Sequence, residues 1–322
     1  MEGFLKTIRF DSAQQLLNAL MPWSEYLQGN SYVFRGHKDA RYKLVPQVLR
    51  DDSLRHMQAM ARTYIEVDDH RRYEASVYLF YEFQLIRDFY KLADLAGLHV
   101  PLSGSLRKKI HSLVDFDLVA FTRGKVEWLP DDILEAAGLA QHYGVPTRLL
   151  DWTHDPLVAA FFSSCSCVNA EGELCIWALD QSKIQMLELC DPNFPLVFTQ
   201  PHYEGNPNLA AQRGLFTHWK TKIESYQVFG VNTLDGSVEA IDQRPLESQL
   251  YEHVTNSGKG CPDEVFTKFL LPASETVELA RMLRRLGYGP ARMFPGYGGV
   301  ADEMKERIML RGSSNGEVKP NL

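Results

Sequence analysis

The six residues Leu157-Val-Ala-Ala-Phe-Phe162 are apolar on every side that a helix could present. Asp155-Pro156 stands directly before them; Asp is a good N-cap and Pro is favoured at the first helical position. The spacing predicts a helix that starts here and is enclosed by the rest of the chain, because a helix apolar all round has no face to give to water. A second apolar run, Glu173-Leu-Cys-Ile-Trp-Ala-Leu179, reads as a buried strand. A buried helix and a buried strand need a sizeable core, and 322 residues supply either one large domain or two ordinary ones.

Residues 10–23 read as a short helix with Leu16, Leu17, Leu20 and Met21 on one face. Ser31-Tyr-Val-Phe-Arg35 is rich in β-formers and reaches Gly36, so it reads as a strand running into a turn. From about residue 54 to 140 the pattern is largely helical, with Val77, Phe80, Tyr81, Phe83, Leu85, Ile86, Phe89 and Leu92 as a wide stripe on one long helix. A helix from about Asp132 is expected to end near Gly144, where glycine suits a left-handed cap. Strands are expected around residues 214–217 and over Val265-Phe-Thr-Lys-Phe-Leu-Leu271. Ser274 is expected to cap a helix that runs to Gly287, residues 296–299 read as a loop, and residues 301–310 read as a closing helix. The order lacks the regular alternation of a doubly wound parallel sheet. It predicts an α+β fold: one domain over residues 1–311 with a helical insertion at about 53–140, then a polar tail at 312–322 expected to be disordered.

A net charge of −7 argues against a surface devoted to nucleic acid, although it does not describe any single cleft. No stretch is apolar for long enough to span a bilayer, and residues 1–11 lack the hydrophobic core of a secretion signal. A cytoplasmic protein is the expectation. Cys165, Cys167, Cys175, Cys190 and Cys261 are irregularly spaced and read as reduced thiols; Cys165-Ser-Cys167 is one pair short of a metal site. Phosphate-loop, dinucleotide-fingerprint, nucleophile-elbow and zinc-protease signatures are absent. Glu66, Asp68 and Asp69 read as a solvated face beside His70, and Arg281, Arg284 and Arg285 as a solvated or capping face. Ser163-Ser164 reads as a helix end, and His202 and His218 carry no specific signal.

Two segments are rich in chemistry. In Gln141-His142-Tyr143-Gly144-Val145-Pro146-Thr147-Arg148-Leu149-Leu150-Asp151-Trp152-Thr153, Gly144 and Pro146 fix a tight backbone. Arg148 offers a planar fork for phosphate or carboxylate, and Tyr143 and Trp152 offer flat faces for a ring. The alternative is structural: Arg148 pairs with Asp151, Trp152 is core, and His142 is a satisfied helix-terminal histidine. The other segment is Val33-Phe34-Arg35-Gly36-His37, a cation at a strand end followed by a glycine that lets a ligand or strand approach.

Phe34-Arg35-Gly36, with Tyr42-x-Leu44-x-Pro46 and Leu49-Arg50, resembles the FRG domain family. So does the 141–153 segment, with Pro156-Leu157-x-Ala159 and Phe161-Phe162 after it. Weaker likenesses are Glu82-x-x-Leu85-Ile86-x-x-Phe89, Ala211-Gln212-x-Gly214-x-Phe216, and Leu286-Gly287 with Phe294-Pro295-Gly296, so the resemblance runs from about Tyr32 to Glu303. The layout is in turn similar to ADP-ribosyltransferase folds, which implies a mixed or antiparallel split sheet and NAD as cofactor. By that likeness Arg35-Gly36 grips NAD, and Trp152-Thr153 with the following helix cups the nicotinamide. Residues 211–216 hold the third motif, where Gln212 stands in place of the usual Glu. The implied catalytic group is Arg35, Gln212 and, as a substitute carboxylate, Glu82, which on its apolar helix needs a partner such as Arg35 or Arg148; the alternative for Glu82 is a buried structural ion pair. The implied ligand contacts are Gly36, His142, Tyr143, Thr147, Arg148, Asp151, Trp152 and Thr153. A toxin-like or phage-defence effector is one implied role; a non-catalytic module for a nucleotide or a protein target is the other, and Gln212 favours it. No metal is implied, and nucleic acid is not an expected partner.

Overall fold

The computed structural model describes residues 3–27, 29, 31–62, 75–109, 126–165, 171–223, 240–258 and 260–312. Glu66, Asp68, Asp69, His70, Cys167 and the 313–322 tail lie outside the described residues. A mixed sheet runs in the order β1 (Leu5–Arg9), β9 (Phe266–Pro272), β5 (Glu173–Asp180), β2 (Tyr32–His37), β4 (Leu150–Thr153), β7 (Gly214–Trp219), β6 (Leu196–Thr199). All pairings are antiparallel except β1 with β9. The fold is α+β, as expected. A separate two-stranded ribbon joins β3 (Val126–Trp128) and β8 (Thr221–Ile223).

The sheet is split. β2 and β5 match over six residues, but β2 and β4 share only Phe34↔Thr153. Beyond that bridge the two half-sheets part. Helices cover both faces. α1 (Ala13–Ala19), α6 (Pro156–Ser164) and α10 (Thr276–Arg285) bury Leu16, Leu17, Val158, Phe161, Leu279 and Leu283 against Phe34, Ile176, Ala178 and Phe269. α7 (Gln181–Cys190) and α9 (Leu246–Asn256) bury Ile184, Leu246, Leu250 and Val254 against Val33, Trp152, Trp177 and Leu270 on the other face. The period of two along each strand sends alternate residues to these two cores.

A third core belongs to the helical insertion. α2 (Ser53–Met60), α3 (Ala75–Leu95) and α5 (Asp131–His142) bury Met57, Leu79, Tyr81, Ile86, Ile133 and Ala137. Phe216 of β7 joins them, close enough to Gly138 that a methyl group there would lie 2.8 Å from its ring. Phe216 against α5 thus ties the insertion to the sheet, and the apolar stripe of α3 packs in the same core, except for Leu92, which is exposed. α4 (Gly104–Lys109) docks on Asp132, whose carboxylate accepts from Gly104 and Ser105 backbone N–H groups at 3.1 and 2.8 Å.

Several local expectations change. Gly36 lies inside β2 and is no turn. A side chain there would collide with the Ala159 carbonyl and sit 2.8 Å from the Ser163 nitrogen, so glycine is required for α6 to lie directly on the strand. Ser274 does not cap α10: residues 273–275 form a 3-10 turn, and Glu275 reaches the Ala13 N–H at 3.0 Å instead. Residues 297–299, expected in a loop, open α12 (Tyr297–Gly312). Of the two readings of Arg281 and Arg284, capping fits better than solvated: Arg281 donates to the Leu310 carbonyl in the last turn of α12 at 2.8 Å, and Arg284 Nε to Glu306 at 2.7 Å, clasping α12 to α10. The Asp155 cap is confirmed, its carboxylate accepting from the Leu157 N–H at 3.0 Å. Ser163 and Ser164 turn back to the Ala160 carbonyl, as a helix end does.

Candidate functional site

Where β2 and β4 part, Arg35 fills the gap. On β2 its side chain alternates with Phe34 and Gly36, which face α6. The guanidinium donates through Nη1 to the Asp151 carbonyl at 2.7 Å and to its carboxylate at 3.2 Å. It therefore stands in for the ladder bonds that the split removes. Nε donates to His37 Nε2 at 3.0 Å. An arginine cannot accept, so His37 Nε2 must be the bare nitrogen; Nδ1 then carries the proton and donates to the Tyr42 carbonyl at 3.2 Å. Burial, and then the Arg35 charge, depress the His37 imidazolium to about 3, which keeps the acceptor available. The remaining Arg35 nitrogen, Nη2, takes none of the hydrogen bonds among the described residues.

Asp151 is held from its other side as well. Gln141 Nε2 donates to its second oxygen at 2.6 Å, and Gln141 accepts from the buried Thr147 hydroxyl. Gln141, Thr147, Asp151, Arg35 and His37 thus form one continuous network that links the two sequence segments.

The network edges a cleft of about 940 Å³. Arg35, Lys38, Arg41, Lys43 and Arg50 line it, against only Asp51 and Asp151 as carboxylates. The cleft is basic although the chain carries −7. Phe34, Gly36, Val158, Ala159, Phe162 and Phe294 form an apolar side, and His142, Thr153 and Gln212 also reach it. His142 is held neutral-leaning by burial, which the nearby Asp151 charge offsets only in part.

Thr153 donates to the Gln212 carbonyl at 2.7 Å. That bond joins the third expected motif to the second. Gln212 closes the short helix α8 (Pro207–Ala211), and its amide nitrogen donates to the Met293 carbonyl at 3.1 Å in α11 (Pro290–Met293). The side-chain oxygen is the group that Gln212 can offer to the cleft.

Four expected site residues, Glu82, Tyr143, Thr147 and Arg148, do not line the cleft; Thr147 is fully buried and meets the network only through Gln141. Glu82 does not accompany Arg35. It is fully buried and forms an ion pair with Arg148: one oxygen accepts from the Arg148 backbone N–H at 2.7 Å, the other from Arg148 Nε and Trp128 Nε1, both at 2.7 Å. With both oxygens held, it is a structural anion rather than a substitute catalytic carboxylate. Arg148 is 2% exposed and does not line the cleft. Nor does it pair with Asp151. Tyr143 is exposed and stacks on Phe89 at 6.3 Å rather than facing the cleft. Trp152 edges the cleft, but its ring is core and its indole donates to Thr217 at 2.8 Å. Sequence reasoning missed His37, Arg50 and the Lys38–Lys43 rim; Arg50 was visible only as part of a motif, and only the fold brings it beside Arg35.

Residues 98–171 match the family model of the FRG domain. The chain carries an FRG domain. The match takes in α5, β4 and α6, and with them Gln141, Asp151 and Thr153. It is shorter than the span of resemblance read from the motifs, and Phe34-Arg35-Gly36 lies outside it. No curated protein and no solved structure matches the chain. Within the FRG domain, strand β4 presents Asp151 to an arginine that the preceding part of the chain supplies. No helix among the described residues is long and apolar enough to cross a membrane, and no cluster of three or more metal-ligating side chains occurs among them.

Proposed function

We propose that the cleft binds a nucleotide of the NAD class through its phosphates and a flat ring. The observation that carries this reading is Arg35, pinned in the sheet gap by His37 and Asp151 with Nη2 left to a ligand. A guanidinium held on two sides is preorganised and loses little freedom on meeting an oxyanion. The basic rim supplies further phosphate contacts, and the apolar side formed by Phe162 and Phe294 suits a ring. The volume is that of a small-molecule site, which typically spans about 300–1,000 Å³.

Asp151 is the carboxylate placed to act if the cleft turns its ligand over. It lies beside Arg35 and is half exposed, whereas Glu82 is consumed by Arg148. An anion there would stabilise positive charge developing on a ribose as nicotinamide leaves. Gln212, neutral and tied to Met293, favours the second reading, a module that binds without turnover.

Calorimetric titration with NAD, with free nicotinamide followed by chromatography, tests both. Binding that falls at least tenfold in Arg35→Ala is expected; equal affinity in that variant would remove the proposed pocket. Release of nicotinamide that disappears in Asp151→Asn while binding persists identifies an enzyme. Binding with no release identifies the module.

A further inference from the structure

At the other end of β4 and β7 lies a second cavity, of about 360 Å³. Its polar lining includes Arg148, Thr217, His218, Lys220, Thr221 and one carboxylate, Asp242, which is held by Arg244 at 2.7 Å. Two of these side chains are almost wholly buried and incompletely satisfied. Arg148, 2% exposed, uses Nε for Glu82 and Nη1 for Thr221 Oγ1 at 2.9 Å, while Nη2 has no hydrogen-bond partner among the described residues. His218, also 2% exposed, has none among the described residues at either ring nitrogen. Buried donors and acceptors of this kind are rare because each costs folding free energy unless something satisfies it.

We infer that this cavity is a binding site for a small hydroxyl-bearing oxyanion, a hydrogen phosphate or phosphate monoester, held by Arg148 Nη2, the His218 ring and Lys220. Arg148 Nη2 donates only, so its partner must present acceptor oxygens. A neutral imidazole offers one donor and one acceptor in either tautomer, so the complementary ligand carries a hydroxyl as well as bare oxygens. Burial, and after it the Arg148 and Lys220 charges, lower His218 to about 3, so the ring stays neutral, and with Asp242 held by Arg244 these two cations are left to meet an anion. Glu82 neutralises Arg148 on the side away from the cavity and faces no ligand. Leu150 belongs to this cavity, and its strand neighbours Asp151, Trp152 and Thr153 to the Arg35 cleft, so β4 stands between the two sites.

The test is titration of the full chain carrying Arg35→Ala with inorganic phosphate near pH 7, which removes the anchor of the cleft and leaves the His218 and Lys220 variants to separate the cavity from the remaining rim cations. Saturable one-site binding is expected. Adding His218→Leu or Lys220→Ala is expected to weaken it at least tenfold; Lys220 is partly exposed, so its variant decides the matter if His218→Leu does not fold. Sulfate has no hydroxyl at this pH and is expected to bind at least tenfold more weakly than phosphate. The inference is overturned if the Arg35→Ala chain shows no saturable phosphate binding, if a folded His218→Leu or Lys220→Ala chain binds undiminished, or if sulfate binds as well as phosphate.

Discussion

Glu82 and Arg148 illustrate how a charged residue in an apolar stripe resolves. The carboxylate on α3 would be costly to bury alone, and the chain supplies it with a guanidinium, a backbone N–H and an indole. Removing one partner leaves the other buried and uncompensated. Glu82→Gln is therefore expected to cost about 3–5 kcal/mol of stability. Nucleotide affinity of the folded fraction should stay unchanged; a selective loss of binding with intact stability, measured by urea denaturation and calorimetry, would instead place Glu82 in the site. Gly36 carries a different constraint. Gly36→Ala drives a methyl group into the Ala159 carbonyl, and neither strand nor helix can yield cheaply. A loss of about 1–3 kcal/mol or more is expected, read as a lowered denaturation midpoint.

Among the elements, α6 is the one on which the cleft leans. Its burial was legible because no face of Leu157-Val-Ala-Ala-Phe-Phe162 is polar, and its start because Asp155-Pro156 allows one capping geometry. Asp155 does more than cap: its second oxygen accepts from the Tyr288 hydroxyl at 2.8 Å, fastening the segment after α10 to the start of α6. Asp155→Ala is expected to lower stability by about 1–2 kcal/mol through the lost cap, and Tyr288→Phe by less; equal melting temperatures for Asp155→Ala and the parent would refute the capping role. Strands β1, β4 and β6 and helices α7 and α9 were not legible. They are short or mostly polar, and pairing with neighbours distant in sequence makes them regular.

Across the molecule, two buried histidines set a pH response. His37 and His218 are each lowered to about 3, whereas an unfolded histidine titrates near about 6.5. Between those values the unfolded chain binds protons that the folded chain refuses. Stability is thus full above about 6.5 and falls as pH drops toward 3, by up to about 1.4 kcal/mol per histidine for each pH unit. Denaturation midpoints at a series of pH values from 7 to 4.5 check this, and His218→Leu should flatten the slope. Charge is also distributed at this scale. The basic cleft sits on a chain of net −7, so nucleotide binding is expected to weaken as salt shortens the Debye length from about 10 Å at 0.1 M. A salt-independent dissociation constant would mean that the rim cations do not contact the ligand.

The sequence alone determined the α+β class, the enclosed helix after Asp155-Pro156, the apolar stripe of α3 and the two segments that meet at the cleft, because each rests on local periodicity, capping or motif. Only the tertiary structure decided which partner each charge takes. Arg35 and Asp151 are 116 positions apart, and Arg148 and Glu82 are 66 apart. Nothing local distinguishes the arginine that holds a buried anion from the one left facing a ligand. The split after Phe34↔Thr153 makes that distinction, by opening a gap that a guanidinium can fill.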